Sequence, residues 1–312
     1  MVLKEAYRRK TVRKKTKRIV SLILLGLIVF GAVVGILYLL NKHPDSAEPL
    51  PQPEETSSPD EENVPEEVTL PEKIDFQSVI DAWVQSVGGN KSVLIYDLER
   101  NEAVGEYNIA ENYNTASLYK LFVVYEGYKR VQNGIWRGDD PAGNTGYTIS
   151  KCLDLAIRES HSPCAETLWA MIGHGELDNI IKNEFNIPNS DISHLTSNVS
   201  DIMKILKIFY EHTEISDEGL VSQMKDSFLN QPITTYNWRQ GLPSGFSKAN
   251  VYNKVGWDYN PNGNYWNIYH DAAIVEFPEL DRHFIVVVMT NRIPFEQIKA
   301  LGTEIENQVN KY

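Results

Sequence analysis

The stretch from residue 114 to residue 130 constrains the fold of this chain more than any other. It reads Asn-Thr-Ala-Ser-Leu-Tyr-Lys-Leu-Phe-Val-Val-Tyr-Glu-Gly-Tyr-Lys-Arg, and residues 118–125 are almost all apolar or aromatic, without a proline. A surface helix carries an apolar stripe rather than an unbroken apolar run, so this pattern predicts a helix that is buried on all sides. Asn114 or Thr115 is suited to cap its start.

Ser117 and Lys120 lie at the start of this predicted helix, three residues apart. Residues at that spacing share a helix face, so the hydroxyl and the amine can meet. A lysine kept neutral by burial or a nearby positive charge can activate a serine nucleophile, and the N–H groups of a helix start can stabilise an oxyanion. Ser-x-x-Lys alone is a weak signal, because Ser222-Gln-Met-Lys225 repeats it. The alternative is a capping serine beside a lysine that extends to solvent.

The first 73 residues predict a membrane anchor followed by a tether. Residues 1–18 contain nine Lys or Arg and one acid, and residues 19–40 are apolar throughout, long enough to cross a bilayer. The alternative is a cleaved signal peptide, whose apolar core would be ~7–15 residues long and would end in small residues. The basic block predicts a cytoplasmic tail, with the chain after Asn41 outside the cell. Residues 41–73 are rich in Pro, Glu, Asp and Ser and predict a disordered acidic linker.

Charge and cysteine content limit the kinds of ligand that the predicted extracellular part, residues 41–312, can bind. The formal net charge of the chain is -12 and the tail contributes +8, so the outer part carries about -20. This excess of acid argues against nucleic acid as a partner. For Cys152 and Cys164, the only cysteines, two buried free thiols are favoured over a disulfide or a metal site, since no His-x-x-x-His or Cys-x-x-Cys pair occurs. We expect no metal and no cofactor.

Periodicity predicts one domain over residues 74–312. Its predicted elements, in chain order, are a helix at 74–87, strands at 92–98 and 103–107, a mostly helical block at 150–210, strands at 250–257, 267–277 and 283–291, and a helix at 293–309. The simplest fold is α/β (α+β): a five-stranded antiparallel sheet flanked by helices, with an inserted all-helical subdomain and one transmembrane helix before it. The sheet subdomain would comprise 74–110 and 246–312, and the helical subdomain 111–245.

Two later stretches carry what a serine nucleophile needs besides its base, namely a proton relay and a charged partner for the substrate. Ser160-His-Ser162 flanks a predicted helix start, and its alternative role is to cap that helix, which the following proline supports. Lys254-Val-Gly256 places a lysine inside a predicted strand, with a glycine that permits close backbone approach. Its alternative role is that of an edge-strand lysine.

Together these stretches resemble the motifs of the penicillin-recognising serine enzymes, the class A β-lactamases and penicillin-binding D,D-peptidases. That family carries Ser-x-x-Lys, Ser-Asp-Asn and Lys-Thr-Gly. The same order is found here, as Ser117-Leu-Tyr-Lys120, Ser160-His-Ser162 and Lys254-Val-Gly256. Segments that flank the motifs also resemble class A sequences, at 156–157, 165–168, 242–245, 271–275 and 286–291. The resemblance covers essentially all of 74–312.

The resemblance implies a role for each motif residue. Ser117 would be the acylated nucleophile and Lys120 its activating base. Ser160 would pass the proton to the leaving nitrogen, and Lys254 would hold the substrate carboxylate and bias the charge of Lys120. The backbone N–H groups of Ser117 and Trp257 would form the oxyanion hole. The residues expected to bind the substrate are Ser162, Val255, Gly256 and Trp257.

Three departures from the family pattern bear on activity. Ser162 replaces Asn and so loses an amide that would bind substrate and orient the lysine. Val255 replaces Thr or Ser, which removes a hydroxyl donor to the substrate carboxylate, worth ~1–3 kcal/mol if an acceptor is left unpaired. The loop Glu that activates the deacylating water in class A enzymes has no counterpart in residues 186–195. Asp191 and Glu184 are alternatives that the sequence does not place.

The sequence therefore predicts a membrane-anchored extracellular serine hydrolase or acyltransferase that acts on a cell-wall peptide or a β-lactam-type amide. Without the loop Glu, an acyl-enzyme formed from penicillin should be long-lived. The alternative class is a catalytically weak binding or sensor domain at the cell surface, which the altered second and third motifs favour. Aromatic residues near the third motif predict either a sugar- or peptide-binding wall or cross-strand packing: Tyr252, Trp257, Tyr259, Tyr265, Trp266 and Tyr269.

Overall fold

The computed structural model describes residues 70–234, 236–259 and 267–312 of the 312-residue chain. The predicted cytoplasmic tail, the predicted transmembrane helix at 19–40 and nearly all of the predicted linker lie outside the described residues, as do Tyr265 and Trp266. Within the described ranges, no helix is both long enough and apolar enough to cross a membrane.

A five-stranded antiparallel sheet forms the scaffold. Its strands are β1 (Asn90–Asp97), β2 (Glu102–Tyr107), β5 (Asn250–Asp258), β6 (Ile268–Phe277) and β7 (Arg282–Asn291). They lie in the order β2-β1-β7-β6-β5, so strands from the two ends of the domain meet where β1 pairs with β7, and β5 is an edge strand. The predicted sheet is confirmed, and every predicted strand end lies within two residues of the observed one.

Helices cover both faces of this sheet. Those in the described residues are α1 (Gln77–Ser86), α2 (Tyr119–Gln132), α3 (Ile149–Arg158), α4 (Ser162–Ile172), α5 (His174–Asn183), α6 (Val199–Glu211), α7 (Glu218–Leu229), α8 (Leu242–Gly245) and α9 (Phe295–Val309). Two short 3-10 helices span Ala116–Leu118 and Ile192–His194, and the short strands β3 (Tyr113–Asn114) and β4 (Thr196–Ser197) pair with each other. The first helix begins later than predicted, because the Phe76 N–H donates to the Val104 carbonyl of β2 at 2.9 Å.

Two apolar cores lie on opposite faces of the sheet. On β7, Val286 and Val288 belong to the core beneath α1 and α9, whereas Ile285 and Val287 belong to the core around α2. This alternation follows from the period of two in a strand and explains why the strand is apolar along its whole length. In α2, every residue from Tyr119 to Lys129 is buried, as the apolar run predicts.

Cys152 of α3 and Cys164 of α4 form a disulfide, so the prediction of two buried free thiols is wrong. Both residues are buried in helices, as expected, but α3 and α4 pack against each other and bring the two Cα atoms within 4.9 Å. This proximity arises from tertiary packing, which the spacing of the two cysteines does not encode. The disulfide closes a loop that contains Ser160.

Candidate active site

Ser117 lies in the single-turn 3-10 helix that continues directly into α2. Asn114 caps this turn, because its side-chain oxygen accepts the Ala116 N–H at 2.9 Å, whereas the Thr115 side chain makes no capping bond. Ala116 has a φ of 43°, a left-handed conformation that costs free energy in a residue with a side chain. Such strain is typical of functional sites, and here it lies immediately before the candidate nucleophile.

Lys120 is the centre of the site and is fully buried. Its Nζ lies 3.1 Å from Ser117 Oγ, 3.0 Å from Ser162 Oγ and 3.2 Å from Ser160 Oγ, and it donates to the Ser160 carbonyl at 2.5 Å. Burial lowers the pKa of Lys120 to about 8, against the opposing negative charge of Glu166. A lysine with this pKa is partly neutral near pH 7 and can accept the proton of Ser117.

Ser160 connects the two lysines. Its backbone is left-handed, with a φ of 54°, in the short segment between α3 and α4. This conformation directs both its carbonyl and its hydroxyl at Lys120, while Lys254 Nζ donates to the same hydroxyl at 2.9 Å. The following helix is capped by His161, whose Nδ1 accepts the Cys164 N–H, and not by either serine. The serines are thereby available to the lysines.

Lys254 reaches the site from the edge strand β5 and is 1% exposed. Its pKa lies well below the usual lysine value, mainly because it is completely buried and also because Lys120 is positively charged. Gly256 permits the strand to approach the nucleophile turn, since a Cβ at this position would lie 2.6 Å from the Thr115 carbonyl oxygen. The main chain of β5 therefore runs directly beside the turn that carries Ser117.

The structure places the predicted substrate-binding residues in two different surroundings, beside Lys120 or against the apolar core beneath α1 and α9. Ser162 contacts Lys120, so its hydroxyl retains a contact with the lysine that the expected Asn would orient. Val255 is 1% exposed and belongs to the apolar core beneath α1 and α9. Trp257 is half-buried and packs at the margin of the same core. The Val255 side chain is thus unable to contact a ligand at Ser117.

An aromatic cluster lies beside the second and third motifs. Tyr236 stacks on Trp238 with ring centres 5.0 Å apart and contacts Trp257 at 4.9 Å, and Tyr259 lies parallel to Trp257 at 6.4 Å. Trp238 Nε1 donates to the carbonyl of Glu159, the residue before Ser160. The sequence analysis missed Tyr236 and Trp238, which precede the third motif without any periodic pattern.

The carboxylates that were considered for deacylation are engaged elsewhere. Glu184 accepts a hydrogen bond from Lys129 at 2.6 Å, and Asp191 pairs with His194 at 3.0 Å while capping a 3-10 helix. The carboxylate whose charge acts on Lys120 is Glu166 of α4, which the sequence analysis missed. Its signal in the sequence was its position four residues after Ser162, one helical turn along. In the described ranges, no group of three His, Cys, Asp or Glu side chains is arranged to hold a metal ion.

The chain matches the beta-lactamase enzyme family over residues 75–312, well over half of its length. No curated protein sequence matches it. Its fold is similar to that of a class A beta-lactamase from Bacteroides cellulosilyticus, with 14% identity, coverage of 75% of this chain and 97% of that chain, and a TM-score of 0.64. A beta lactamase from Xanthomonas campestris gives 12% identity, 76% and 99% coverage and a TM-score of 0.64. PBP-A gives 15% identity, 78% and 100% coverage and a TM-score of 0.64.

Proposed function

Since the chain belongs to the beta-lactamase enzyme family, a family of serine hydrolases, we propose that its Ser117 forms an acyl-enzyme with a cell-wall peptide or a β-lactam-type amide. One observation carries this proposal. An unbroken set of polar contacts runs from Ser117 Oγ through Lys120 Nζ and Ser160 Oγ to Lys254 Nζ, each between 2.9 and 3.2 Å. A purely structural role for these residues would not need two buried lysines on one hydroxyl.

The acylation step follows from these contacts. Neutral Lys120 takes the proton of Ser117 as Oγ attacks the carbonyl carbon of the substrate amide. The developing oxyanion is held by backbone N–H groups of the Ser117 turn and of the β5 edge beside it. Ser160 then gives its proton to the departing nitrogen and is reprotonated from the adjacent lysine amines, so the C–N bond breaks and the ester on Ser117 remains.

Lys254 is suited to bind an anionic group of the substrate beside Ser160. Because it is buried next to Ser160 and near Lys120, its ammonium form is poorly solvated and gains from an anionic partner. A substrate carboxylate bound beside Ser160 would supply that partner, and it would stabilise the charged form of Lys254. Peptides with a free C-terminus and β-lactam antibiotics both carry such a carboxylate, which supports an acidic amide as the substrate class.

We further propose that the domain works outside the cell, held at the membrane by residues 19–40. The support is the apolar length of this segment, the basic block before it and the acidic tether after it. Protease added to intact cells should then release a soluble fragment that begins within residues 41–73. A naturally secreted form that starts near residue 41 would contradict the anchor.

The acyl-enzyme is tested by mass spectrometry of the full-length protein in detergent after treatment with a reactive penicillin. We expect a covalent increase equal to the mass of the drug, located at Ser117, and no increase in the Ser117→Ala variant. Absence of an adduct with any β-lactam, and with a general serine-reactive probe, would contradict the proposal. That result would favour the binding or sensor domain.

A further inference from the structure

We propose that Glu166 is the general base of deacylation, the residue that activates the water which hydrolyses the ester on Ser117. The proposal rests on the acyl-enzyme proposed above. Glu166 lies on α4, the helix that begins at Ser162 of the second motif. In the enzymes that the sequence resembles, the corresponding Glu lies on a later loop, and here that loop is short and its carboxylates are bound elsewhere.

The register of α4 directs Glu166 at the start of α2. Ser162, Glu166 and Trp169 are spaced i, i+4 and i+7, so they form one stripe along the helix. Both ends of this stripe contact the residues that follow Ser117: Ser162 Oγ lies 3.0 Å from Lys120 Nζ, and the Trp169 ring centre lies 5.2 Å from that of Tyr119. The middle of the stripe therefore faces the same two residues.

The direction of the side chain brings its carboxylate closer still. Helical Cα–Cβ bonds tilt toward the N-terminus of the helix, so the Glu166 side chain extends back toward Ser162, whose Cβ lies about 5–6 Å away. The electrostatics agree with this geometry, because the charge of Glu166 raises the pKa values of both Lys120 and Tyr119. The proposed base would act on the ester through a water molecule held between its carboxylate and the Ser117 turn.

Glu166 is also available for chemistry. It is exposed, and within the described parts of the chain its carboxylate has no hydrogen-bond or ion-pair partner. Glu184 and Asp191, in contrast, are each held by a cation or an imidazole. A carboxylate with water access and no partner beside a buried amine is suited to take a proton from water.

The proposed step balances as an ester hydrolysis. The Glu166 carboxylate takes one proton from a water molecule while the water oxygen bonds to the ester carbonyl carbon. The tetrahedral intermediate then collapses, the bond from that carbon to Ser117 Oγ breaks, and the proton held by Glu166 returns to Oγ by way of Lys120. The products are the free acid and Ser117 in its starting state. A penicillin adduct should therefore turn over, in contrast to the long life expected from the loop alone.

The test compares the full-length protein with its Glu166→Gln variant, using a reactive penicillin and rapid-quench mass spectrometry. Gln keeps the size of the side chain and removes its basicity. We expect the rate of adduct formation to change by less than ~3-fold and the rate of adduct loss to fall ~10²–10⁴-fold, the usual contribution of a general base. Glu159→Gln is the matched control, because Glu159 is an exposed neighbour of the same motif whose charge does not act on either lysine.

Other results of these measurements would contradict the proposal, and each would identify a different cause. Equal adduct lifetimes in the wild-type and Glu166→Gln proteins would exclude Glu166 as the base while leaving the acyl-enzyme intact. A shift in the pH profile of adduct formation, with adduct loss unchanged, would show that Glu166 only supports the charge of Lys120. A wild-type protein that neither forms an adduct nor releases hydrolysed penicillin would overturn the proposed function and this inference together, whereas release of hydrolysed drug without a visible adduct would support fast deacylation.

Discussion

The two sides of the Ser117 site are built in different ways. On the acylation side, Lys120 and Lys254 are buried and are held by the hydroxyls of Ser117, Ser160 and Ser162. On the proposed deacylation side, residues 186–195 form a short connection, and Glu166, which has no polar partner in the described part of the chain, is exposed on a helix. Core packing thus holds the groups proposed for acylation, whereas the proposed base of deacylation occupies a surface position that can change without loss of the fold.

The largest expected effect comes from breaking the acylation side at its centre. Ser117→Ala should abolish the adduct, because the oxygen that forms the ester is gone, and Lys120→Ala should lower the rate of adduct formation by at least ~10³-fold, because nucleophile and base act as one unit. Both outcomes are measured by adduct mass against time. Circular dichroism spectra should confirm that the variants are folded. A Lys120→Ala protein that retained most of its activity would show that the base is another group.

The next largest effect is expected from Gly256→Ala, which tests how closely the backbone of β5 must approach the Ser117 turn. Gly256→Ala places a Cβ about 2.6 Å from the Thr115 carbonyl, and since both are backbone positions the strand must move away from Ser117. A displacement of ~1 Å can cost ~10²-fold in rate, so adduct formation should fall by about that factor. Gly88→Ala is the matched control, because nothing lies within 4 Å of its Cβ. Equal rates in the two variants would argue against a close approach of β5.

These features differ in how well the sequence predicted them. The strands and the buried helix could be predicted because alternation and an unbroken apolar run report burial directly, as β7 and α2 show. Ser117, Lys120, Ser160 and Lys254 were predicted as site residues because three short motifs follow one another in a known order. Within the described structure, all four are joined by hydrogen bonds.

The features that could not be predicted from the sequence are those that depend on which helices pack side by side. The disulfide requires α3 and α4 to be neighbours, and Glu166 becomes a functional candidate only when α4 lies against the start of α2. The cap of α4 is His161, although the adjacent serines have the stronger capping preference, because the serine hydroxyls are occupied by Lys120. Tertiary hydrogen bonds to Lys120 therefore determine which residue caps α4.

The rate of adduct formation should depend on pH through the protonation of Lys120. Because burial lowers the pKa of Lys120 to about 8, the amine is protonated below that pH and cannot accept the Ser117 proton. Adduct formation should therefore rise about tenfold per pH unit up to about pH 8 and then level off. Glu166→Gln removes a negative charge that raises this pKa, so its midpoint should lie lower. A rate independent of pH between 6 and 8 would exclude Lys120 as the base.

The disulfide tests whether the acylation side needs a covalent support. Replacing both Cys152 and Cys164 by Ser should lower the free energy of unfolding by about 3 kcal/mol, the contribution of a closed loop of this size, as measured by urea denaturation. Adduct formation at 25 °C should fall only a few-fold, because the contacts of Ser160 with the two lysines hold the loop in the folded state. A loss as large as that of Lys120→Ala would show that the disulfide, and not the lysines, positions Ser160.

The smallest expected effect concerns the two positions where the chain departs from the family motifs. Ser162→Asn should increase adduct formation a few-fold, because the longer amide can keep the contact with Lys120 and also reach the substrate. Val255→Thr should bring no increase, although it restores the third motif in the sequence. The Val255 side chain lies in the apolar core beneath α1 and α9, so a hydroxyl there would be buried away from the ligand and would lower the free energy of unfolding by ~1–3 kcal/mol. A rate increase from Val255→Thr alone would mean that β5 turns this residue toward the substrate, and the division of the strand into a site face and a core face would then be wrong.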